Sequence, residues 1–287
     1  MATAEQVDIH VPVREGEYGD RVVTVEPGGV EYIPPSERHG TPLQMFWTWM
    51  SPNLEFATIF VGALGIFLFG GSFITVALAI IVGSALGALS HAVLSSWGPK
   101  FGVPQMVQGR AAFGFYGNII PAGLMSATAG IGWFAVNSVS GTFALSALLG
   151  LPLWLSLVII VLIQIVVAFF GHNLVHAFER LAFIPLVIVF ALATILVFSH
   201  ANFGQPFNPK APLAFGGEMG AFLLTAAAAF GYAAGWNPYA SDYTRYISAG
   251  ASRFRVGMWA GLGVLVSCVV LELMGAALVT VAGTKWG

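Results

Sequence analysis

The stretch Ser51-Pro52-Asn53-Leu54-Glu55 interrupts an apolar run that extends from about residue 44 to residue 69. A second interruption, Gly231-Tyr232-Ala233-Ala234-Gly235-Trp236-Asn237-Pro238, lies in the apolar run at roughly 219–241. Proline inside a helix removes one backbone donor and clashes with the carbonyl group of the preceding turn. If these runs cross a membrane, the freed backbone groups must find protein, water or a ligand. We therefore predict two membrane helices that unwind in mid-span, where the backbone can line a solute site.

The composition places these runs in a membrane. Hydrophobic residues make up 57% of the 287 positions and charged residues only 8%, whereas soluble domains carry about 25% charged residues. Eleven of the 24 charged residues lie before residue 43. We therefore divide the chain into a polar tail, residues 1–42, and a transmembrane body, residues 43–287.

Segments of about 20 apolar residues are needed to cross a hydrocarbon core of about 30 Å. Seven such stretches are present, at roughly 44–69, 73–96, 115–148, 153–171, 181–200, 219–241 and 256–282. The third is longer than a perpendicular span requires, so we expect it to tilt, with Gly123, Ala127 and Gly130 packed closely against neighbouring helices. No basic and apolar signal peptide precedes the first span, which we expect to direct insertion itself.

Loop charges predict the orientation in the membrane. With the amino terminus in the cytoplasm, six cationic side chains lie inside and two outside, which agrees with the positive-inside rule. The six are Lys100, Arg110, Arg180, Arg245, Arg253 and Arg255, and the two are Lys210 and Lys285. We therefore expect a multi-pass protein of a plasma membrane or bacterial inner membrane, with a cytoplasmic tail.

Trp133 and Asn137 lie four residues apart in the third span and therefore on one face of a helix. An indole beside an amide that can donate and accept hydrogen bonds suits a planar heterocycle with donors and acceptors on its edge. Trp236, at the second interruption, could supply another aromatic face. Trp and Asn also serve in helix packing and interfacial anchoring, so the pattern alone leaves those roles open.

Two breaks favour a carrier more strongly than one break does. Proline kinks are common in membrane helices, so either break alone fits a purely structural role. The first and sixth spans are equivalent if the fold consists of two five-helix repeats of opposite orientation, and each break contains an asparagine, Asn53 or Asn237. Carriers of that kind pair two discontinuous helices across the substrate.

Acidic residues inside the apolar runs need a partner or a proton, because an ionised carboxylate at membrane depth costs about 2.5–3.5 kcal/mol. Glu55, beside the first break, could accept a hydrogen bond from the substrate, carry a proton, or bond a freed backbone amide. Glu272, in the seventh span, is better explained as a structural group. Asp242 and Arg245 lie three residues apart at the end of the sixth span, where they can pair locally and fix the helix end or act in gating.

Other function classes find little support in the sequence. His172 and His176 have the spacing of a helical metal pair, but no third ligand accompanies them and they fall in a predicted cytoplasmic loop, so we predict no metal site and no cofactor. No basic run suggests nucleic acid, and no motif indicates an enzyme. The single cysteine, Cys268, excludes an intramolecular disulfide. The oligomeric state is left open.

Several motifs together resemble the nucleobase:cation symporter-1 family, and most of all its purine-cytosine permease branch. They are Gly98-Pro99-Lys100-Phe101-Gly102-Val103-Pro104 followed by Gly109-Arg110-Ala111-Ala112-Phe113-Gly114, then Gly132-Trp133-Phe134, and Gly235-Trp236-Asn237-Pro238-Tyr239-Ala240-Ser241-Asp242-Tyr243-Thr244-Arg245-Tyr246. The resemblance extends from about residue 35 to the end of the sequence.

The resemblance implies an all-α integral membrane protein with the leucine-transporter type of five-plus-five inverted repeat. Such a protein moves a nucleobase such as cytosine or a purine inward, in symport with a proton or a sodium ion. Residues matching Trp133, Asn137 and Trp236 hold the substrate in that family by stacking and amide hydrogen bonds. Backbone at the first break lines the substrate and cation sites there. On this basis we add Asn53, Glu55 and Gly235 as substrate contacts, and the backbone of Ser51, Pro52 and Asn53 as cation contacts.

The sequence is shorter than the family pattern, in which five further helices would begin just beyond Gly287. We therefore expect a fold truncated after the seventh helix, as a fragment or a shortened reading frame. Two alternatives stay open. One is a carrier of a related ring compound, such as allantoin, a hydantoin or a vitamin-like molecule. The other, from a different class, is a non-transporting membrane fragment or binding module.

Overall fold

The computed structural model of the chain describes residues 21–26 and 29–282, and that part is helical with no strand. Six of its helices are long and apolar enough to cross a membrane, and a bent pair of helices forms a seventh candidate. In chain order we name them span 1 to span 7: Gln44–Asn53 with Phe56–Phe67, Phe73–Phe101, Ile119–Leu149, Leu153–Phe170, His172–His200, Gly217–Thr244 and Arg253–Val281. The multi-pass membrane architecture predicted from the sequence is confirmed.

Several spans contain more than one helix. The α-helices are Gln44–Met50, Phe56–Phe67, Phe73–Ser95, Gly98–Phe101, Gln105–Gln108, Arg110–Gly117, Ile119–Ala127, Phe134–Leu149, Leu153–Phe170, His172–His200, Gly217–Ala234, Ala240–Thr244 and Arg253–Ala282. Turns of 3-10 helix occupy Pro35–Glu37, Ser51–Asn53 and Asn237–Tyr239, and a π-helical turn occupies Thr128–Trp133.

Span 1 is broken where the sequence predicts a break. Its first helix ends at Met50, a 3-10 turn covers Ser51–Asn53, and Glu55 is extended (φ −149°, ψ 172°) before the chain becomes helical again at Phe56. The helix axis bends by 63° between the two halves of the span. Pro52 lies in the first turn of the 3-10 segment, where its missing N–H is tolerated.

Span 6 does not unwind as predicted. Its long helix ends at Ala234, Gly235 keeps helical dihedral angles (φ −56°, ψ −23°), and the 3-10 turn Asn237–Tyr239 leads directly into Ala240–Thr244. Pro238 occupies the start of that 3-10 turn, so its missing N–H is accommodated by a local tightening of the helix. The predicted break is therefore confirmed for span 1. In span 6 the α-helix is interrupted over residues 235–239, as predicted, but the chain stays coiled there and does not become extended.

Span 5 begins at His172 and not at residue 181, so the predicted loop that contained His172 and His176 is wrong. Gly171, with φ of 80°, ends span 4 and lets the chain enter the next helix without a loop. The polar first turns of span 5 stay helical because their side chains pack on other spans. The ring of His172 stacks on Tyr246 with centroids 3.9 Å apart, and His176 lies 3.2 Å from the hydroxyl of Thr48.

Spans 1, 2, 6 and 7 form the interior of the bundle, and small residues bring them together. Gly62 of span 1 lies against the backbone of Glu272 in span 7, and Gly87 of span 2 lies against Ala233 of span 6. Helix association in a membrane depends on such close packing. Spans 3, 4 and 5 lie outside this interior, with 0%, 6% and 0% of their most apolar stretches buried.

Span 3 does not use its small residues as predicted. A methyl group added at Gly123 or Gly130 would meet no described atom within 4 Å, and Ala127 is exposed. The span lies at the edge of the bundle, so this face has no neighbour within the described chain. The predicted close helix contact at these residues is therefore wrong for the part of the protein seen here.

The polar segment before span 1 packs across one end of the bundle. Ile33 forms a small buried cluster with Tyr246, and its amide N–H donates to the carbonyl of Gly102 at 2.8 Å. Arg38 donates to the carbonyls of Ile33 and Pro99 at 2.9 and 2.6 Å. The described part of the predicted tail is therefore folded against the transmembrane body. Residues 1–20, the pair 27–28, and the predicted external Lys285 lie outside the described residues.

Gly62→Ala is expected to destabilise the fold, because the added methyl group would overlap the carbonyl of Glu272. Overpacking of this kind costs roughly 1–3 kcal/mol, so the melting temperature of the purified protein in detergent should fall. Gly123→Ala is the matched control, since its methyl group meets open space. Equal melting temperatures for the two variants would contradict the close packing of spans 1 and 7.

Candidate functional site

Asn53 joins the break of span 1 to span 6. Its side chain is fully buried, and its Oδ1 accepts a hydrogen bond from the indole Nε1 of Trp236 at 2.8 Å. Its Nδ2 donates to the carbonyl of Trp49, also at 2.8 Å. Because both ends of the amide are engaged, the ring of Trp236 is held at a fixed position relative to the break.

A second polar connection runs from span 1 to Tyr232 of span 6. The hydroxyl of Thr58 donates to the carbonyl of Asn53 at 2.6 Å and lies 2.7 Å from the Tyr232 hydroxyl. Tyr232 also donates to Oε1 of Glu55 at 3.2 Å. The half-buried Glu55 carboxyl is therefore tied to both spans at the edge of the break.

Trp133 and Trp236 present two nearly parallel aromatic faces from different spans. Their rings are inclined by only 14°, with centroids 6.4 Å apart, and Tyr232 meets the Trp133 ring edge-on at 6.0 Å. A flat ring between two stacking partners needs about 3.5 Å on each side, or roughly 7 Å in total. The spacing of the indole centroids is close to that separation, so a small outward movement of Trp133, on the exposed span 3, would admit a planar heterocycle.

Trp133 ends the π-helical turn of span 3, and such turns are rare and often found at functional sites. Asn137 follows one helical turn later on the same side of the span. Its side chain is exposed and makes no hydrogen bond to a described residue. The amide is therefore available to bind a polar group that lies beside the indole pair.

The backbone at the first break is partly satisfied within the chain. The carbonyl of Ser51 accepts from the N–H of Leu54 at 3.0 Å, and that of Asn53 accepts from Thr58. Each carbonyl has a second lone pair, so a cation bound here would share these oxygens with existing hydrogen bonds. Pro52 and Gly235, the other predicted backbone contacts, are both half-buried in their turns.

Asp242 and Arg245 do not form the local pair predicted for the end of span 6. Oδ1 of Asp242 accepts a hydrogen bond from the amide N–H of Gln105 at 2.9 Å. Arg245 forms an ion pair with Glu26 at 2.7 Å, and the same carboxylate accepts from the Tyr246 hydroxyl. The prediction fails because the segment before span 1 supplies a carboxylate to Arg245, while Asp242 is directed toward the chain after span 2.

No group of three or more potential metal ligands occurs within the described residues. His172 and His176, which have the spacing of a metal pair, have nearly parallel rings with centroids 5.9 Å apart. Both rings take part in the packing of spans 1, 5 and 6 described above.

Three residues near the site escaped the sequence analysis: Thr58, Tyr232 and Glu179. Glu179 was hidden by the wrong start of span 5, since a helix that begins at His172 places a carboxyl group inside the span. That signal was available, because acidic residues are rare in membrane helices. Thr58 and Tyr232 carry no comparable signal, because single hydroxyl residues are ordinary in membrane helices.

Comparison with known proteins gives a family match over nearly the whole chain. Residues 32–285 match the family described as permease for cytosine/purines, uracil, thiamine, allantoin. Purine-cytosine permease fcyB of Emericella nidulans is 30% identical over 268 residues, which are 92% of this chain and 51% of that protein. Purine-cytosine permease FCY21 of Saccharomyces cerevisiae is 28% identical over 272 residues, or 91% of this chain and 49% of that protein. The chain therefore spans about half the length of the curated relatives it matches.

A solved structure shows the same fold. Mhp1, a nucleobase-cation-symport-1 family transporter in a closed conformation with bromovinylhydantoin bound, matches with a TM-score of 0.73 at 20% identity. The match covers 92% of this chain and 59% of Mhp1. Because Mhp1 has the leucine-transporter fold, the predicted fold class is confirmed for the part that the chain spans. The predicted resemblance to the nucleobase:cation symporter-1 family is confirmed as well.

Tyr232→Phe is expected to lower the melting temperature, because it removes the hydroxyl that lies between Thr58 and Glu55. Leaving a buried polar group without its partner costs about 1–3 kcal/mol. Tyr116→Phe makes the same change at a side chain that is 80% exposed and serves as the control. Thermal denaturation of both purified variants measures the difference. A melting temperature of Tyr232→Phe equal to that of the wild-type protein would show that this connection contributes nothing to stability.

Proposed function

We propose a transport function from one premise: the chain belongs to the family of permeases for cytosine/purines, uracil, thiamine and allantoin. The protein that carries this chain moves a nucleobase, such as cytosine or a purine, across the cell membrane in symport with a proton or a sodium ion. The chain spans about half the length of its relatives, so we assign to it one part of the substrate site and not the whole carrier.

The observation that carries the proposal is the parallel indole pair. Trp133 and Trp236 offer faces that differ by 14°, at a separation close to that of a stacked sandwich. Stacking on aromatic side chains suits every base, because each has a π-face. The hydrogen bond from Trp236 to Asn53 fixes one of these faces before the substrate arrives, which lowers the cost of ordering the site on binding.

Polar groups around the pair would recognise the edge of the base. The Asn137 amide can donate to a ring carbonyl and accept from a ring N–H or amino group. The Glu55 carboxyl can accept from an amino group such as the one on cytosine. Gly235, which lacks a side chain, lets the base approach the backbone beside Trp236.

The coupling cation and the gate are assigned to the same region of the chain. We place a cation contact at the backbone of Ser51, Pro52 and Asn53, whose carbonyls retain free lone pairs. Asp242 and Arg245, at the far end of span 6, are proposed to act in gating through their bonds to Gln105 and Glu26. The loop charges support a cytoplasmic location for this end and for the amino terminus.

Trp236→Ala and Asn137→Ala are expected to abolish uptake of labelled cytosine by cells that express the protein from its full reading frame. A stacked base is worth roughly 1–3 kcal/mol, which corresponds to about a 5- to 150-fold loss of affinity. Trp154→Ala, at an indole that is 68% exposed on span 4, is the matched control and should transport normally. Normal uptake by the first two variants, with normal amounts of protein in the membrane, would refute the site assignment.

Competition between labelled cytosine and unlabelled ring compounds should identify the transported substrate. Unlabelled purines and cytosine are expected to displace labelled cytosine more strongly than allantoin, a hydantoin or thiamine does, because the site offers both an amide and a carboxyl to an aminated ring. Stronger displacement by one of the latter compounds would identify the protein as a carrier of that ring. Membrane insertion without binding of any member of the panel would favour a non-transporting module.

A further inference from the structure

Glu179 of span 5 is a buried acidic residue that the indole site does not use. Only 9% of the residue is exposed. Its Oε1 accepts a hydrogen bond from the Tyr243 hydroxyl at 3.2 Å, whereas its Oε2 is buried without a partner among the described residues. No ion pair to this carboxyl occurs in that part of the chain. An ionised carboxylate in such surroundings costs several kcal/mol, so the packing seen here favours the neutral acid.

Glu179 lies where three spans meet. The hydroxyl of Ser51, at the break of span 1, donates to the backbone carbonyl of Glu179 at 3.3 Å. Tyr243, near the end of span 6, holds its carboxyl group. Any movement of span 5 relative to the broken span or to the end of span 6 would therefore change the surroundings of this carboxyl.

A chain of aromatic contacts connects this position to the indole site. Tyr243 meets Trp49 at a ring distance of 5.2 Å, and Trp49 meets Trp236 at 5.8 Å. These rings are packed in the interior, where displacement of one is felt by its neighbours. A base that stacks on Trp236 would thus contact the same group of packed rings as Tyr243, the residue that bonds Glu179.

A cavity large enough to hold water reaches Tyr243, the partner of Glu179. An open cavity of about 700 Å³ adjoins spans 1, 5 and 6, and Tyr243, His176 and Arg180 line it. This volume is far more than a single water molecule requires. Glu179 does not line the cavity itself, but Tyr243, which bonds its carboxyl group, does.

Titratable and charged groups lie on each element around Glu179. Span 1 carries none before its break, and Glu55 follows the break. The others are His172, His176 and Arg180 on span 5, Asp242, Tyr243, Arg245 and Tyr246 at the end of span 6, and Glu26 and His39 in the segment before span 1. Among them Tyr243 alone bonds the carboxyl, and Arg245 is already paired with Glu26.

We propose that Glu179 carries the proton that is transported together with the nucleobase. The carboxyl keeps its proton while spans 1, 5 and 6 pack as described. When span 5 moves and water from the cavity reaches the group, its O–H bond breaks and the proton passes to a water molecule, which leaves a carboxylate and a hydronium ion. Reprotonation reverses the step. The inference rests on the proposed transport function and assigns its coupling ion.

Two other acidic residues fit this role less well. Glu272 accepts from the Ser84 hydroxyl at 2.9 Å between spans 7 and 2, and this partner, unlike the Tyr243 partner of Glu179, does not line the large cavity. Glu55 is tied to Tyr232 beside the indole pair, where it is better placed to meet the substrate. Glu179 combines burial, a carboxyl oxygen with no partner among the described residues, and a bond to Tyr243, which lines the large cavity.

The test uses the protein from its full reading frame, reconstituted in liposomes with labelled cytosine. Glu179→Gln is expected to lose at least about tenfold of the accumulation driven by an imposed pH gradient. Exchange of labelled for unlabelled cytosine should persist, because exchange requires no net proton transfer. Accumulation at the wild-type level in this variant would overturn the proposal.

Glu272→Gln is the matched control and should retain both accumulation and exchange. Loss of accumulation alone in this control would move the assignment to span 7 and overturn the proposal for Glu179. If Glu179→Gln loses exchange as well, the variant Glu179→Asp shows whether the loss comes from the missing proton-carrying group or from a damaged fold. Aspartate keeps a proton-carrying group, so accumulation should return with an altered pH profile, and no recovery would count against the proposal.

The wild-type protein separates this inference from the proposed function. If it neither exchanges nor accumulates cytosine, the proposed function fails. If it exchanges cytosine but accumulation follows a sodium gradient and ignores pH, the transport function stands and the role of Glu179 falls.

Discussion

The hydrogen bonds of the Asn53 amide are the interaction on which the rest of the site depends. A helix that stops in mid-membrane leaves backbone groups that hydrocarbon cannot satisfy. Here the side chain of Asn53 bonds the carbonyl of Trp49 one turn earlier, and its other end holds the indole of Trp236. One residue therefore both satisfies the broken backbone and positions the aromatic face. The break and the aromatic site cannot be changed independently.

The site lies at the boundary between two groups of spans. Trp236 belongs to the interior formed by spans 1, 2, 6 and 7, where glycines allow backbones to touch. Trp133 belongs to span 3, in the group that is largely exposed. The separation of the two indoles is therefore set by how the groups pack against each other, and a modest shift between them would open or close the space between the rings.

Local sequence was sufficient for features that depend on local chemistry. Hydropathy located the spans, and Pro52 beside Ser51 and Asn53 located the break of span 1. At Pro238 the same logic located an interruption of the α-helix but not its form, because a sequence shows a proline but not that it begins a 3-10 turn. It failed at the start of span 5 because His172 is kept helical by a tertiary contact with Tyr246. The partner of Arg245, at Glu26, is 219 positions away and leaves no local trace.

Glu26 makes the polar tail important when the protein is shortened for experiments. Its carboxylate accepts bonds from Arg245, from Tyr246 and from the backbone N–H of His172, so it links the ends of spans 5 and 6. The Arg245 side chain is only 6% exposed. A version of the protein trimmed to begin after residue 26, as is often done to aid crystallisation, would leave that guanidinium buried without its counter-ion. Residue 26 and the described segment that follows it from residue 29 are therefore part of the folded structure and should be retained.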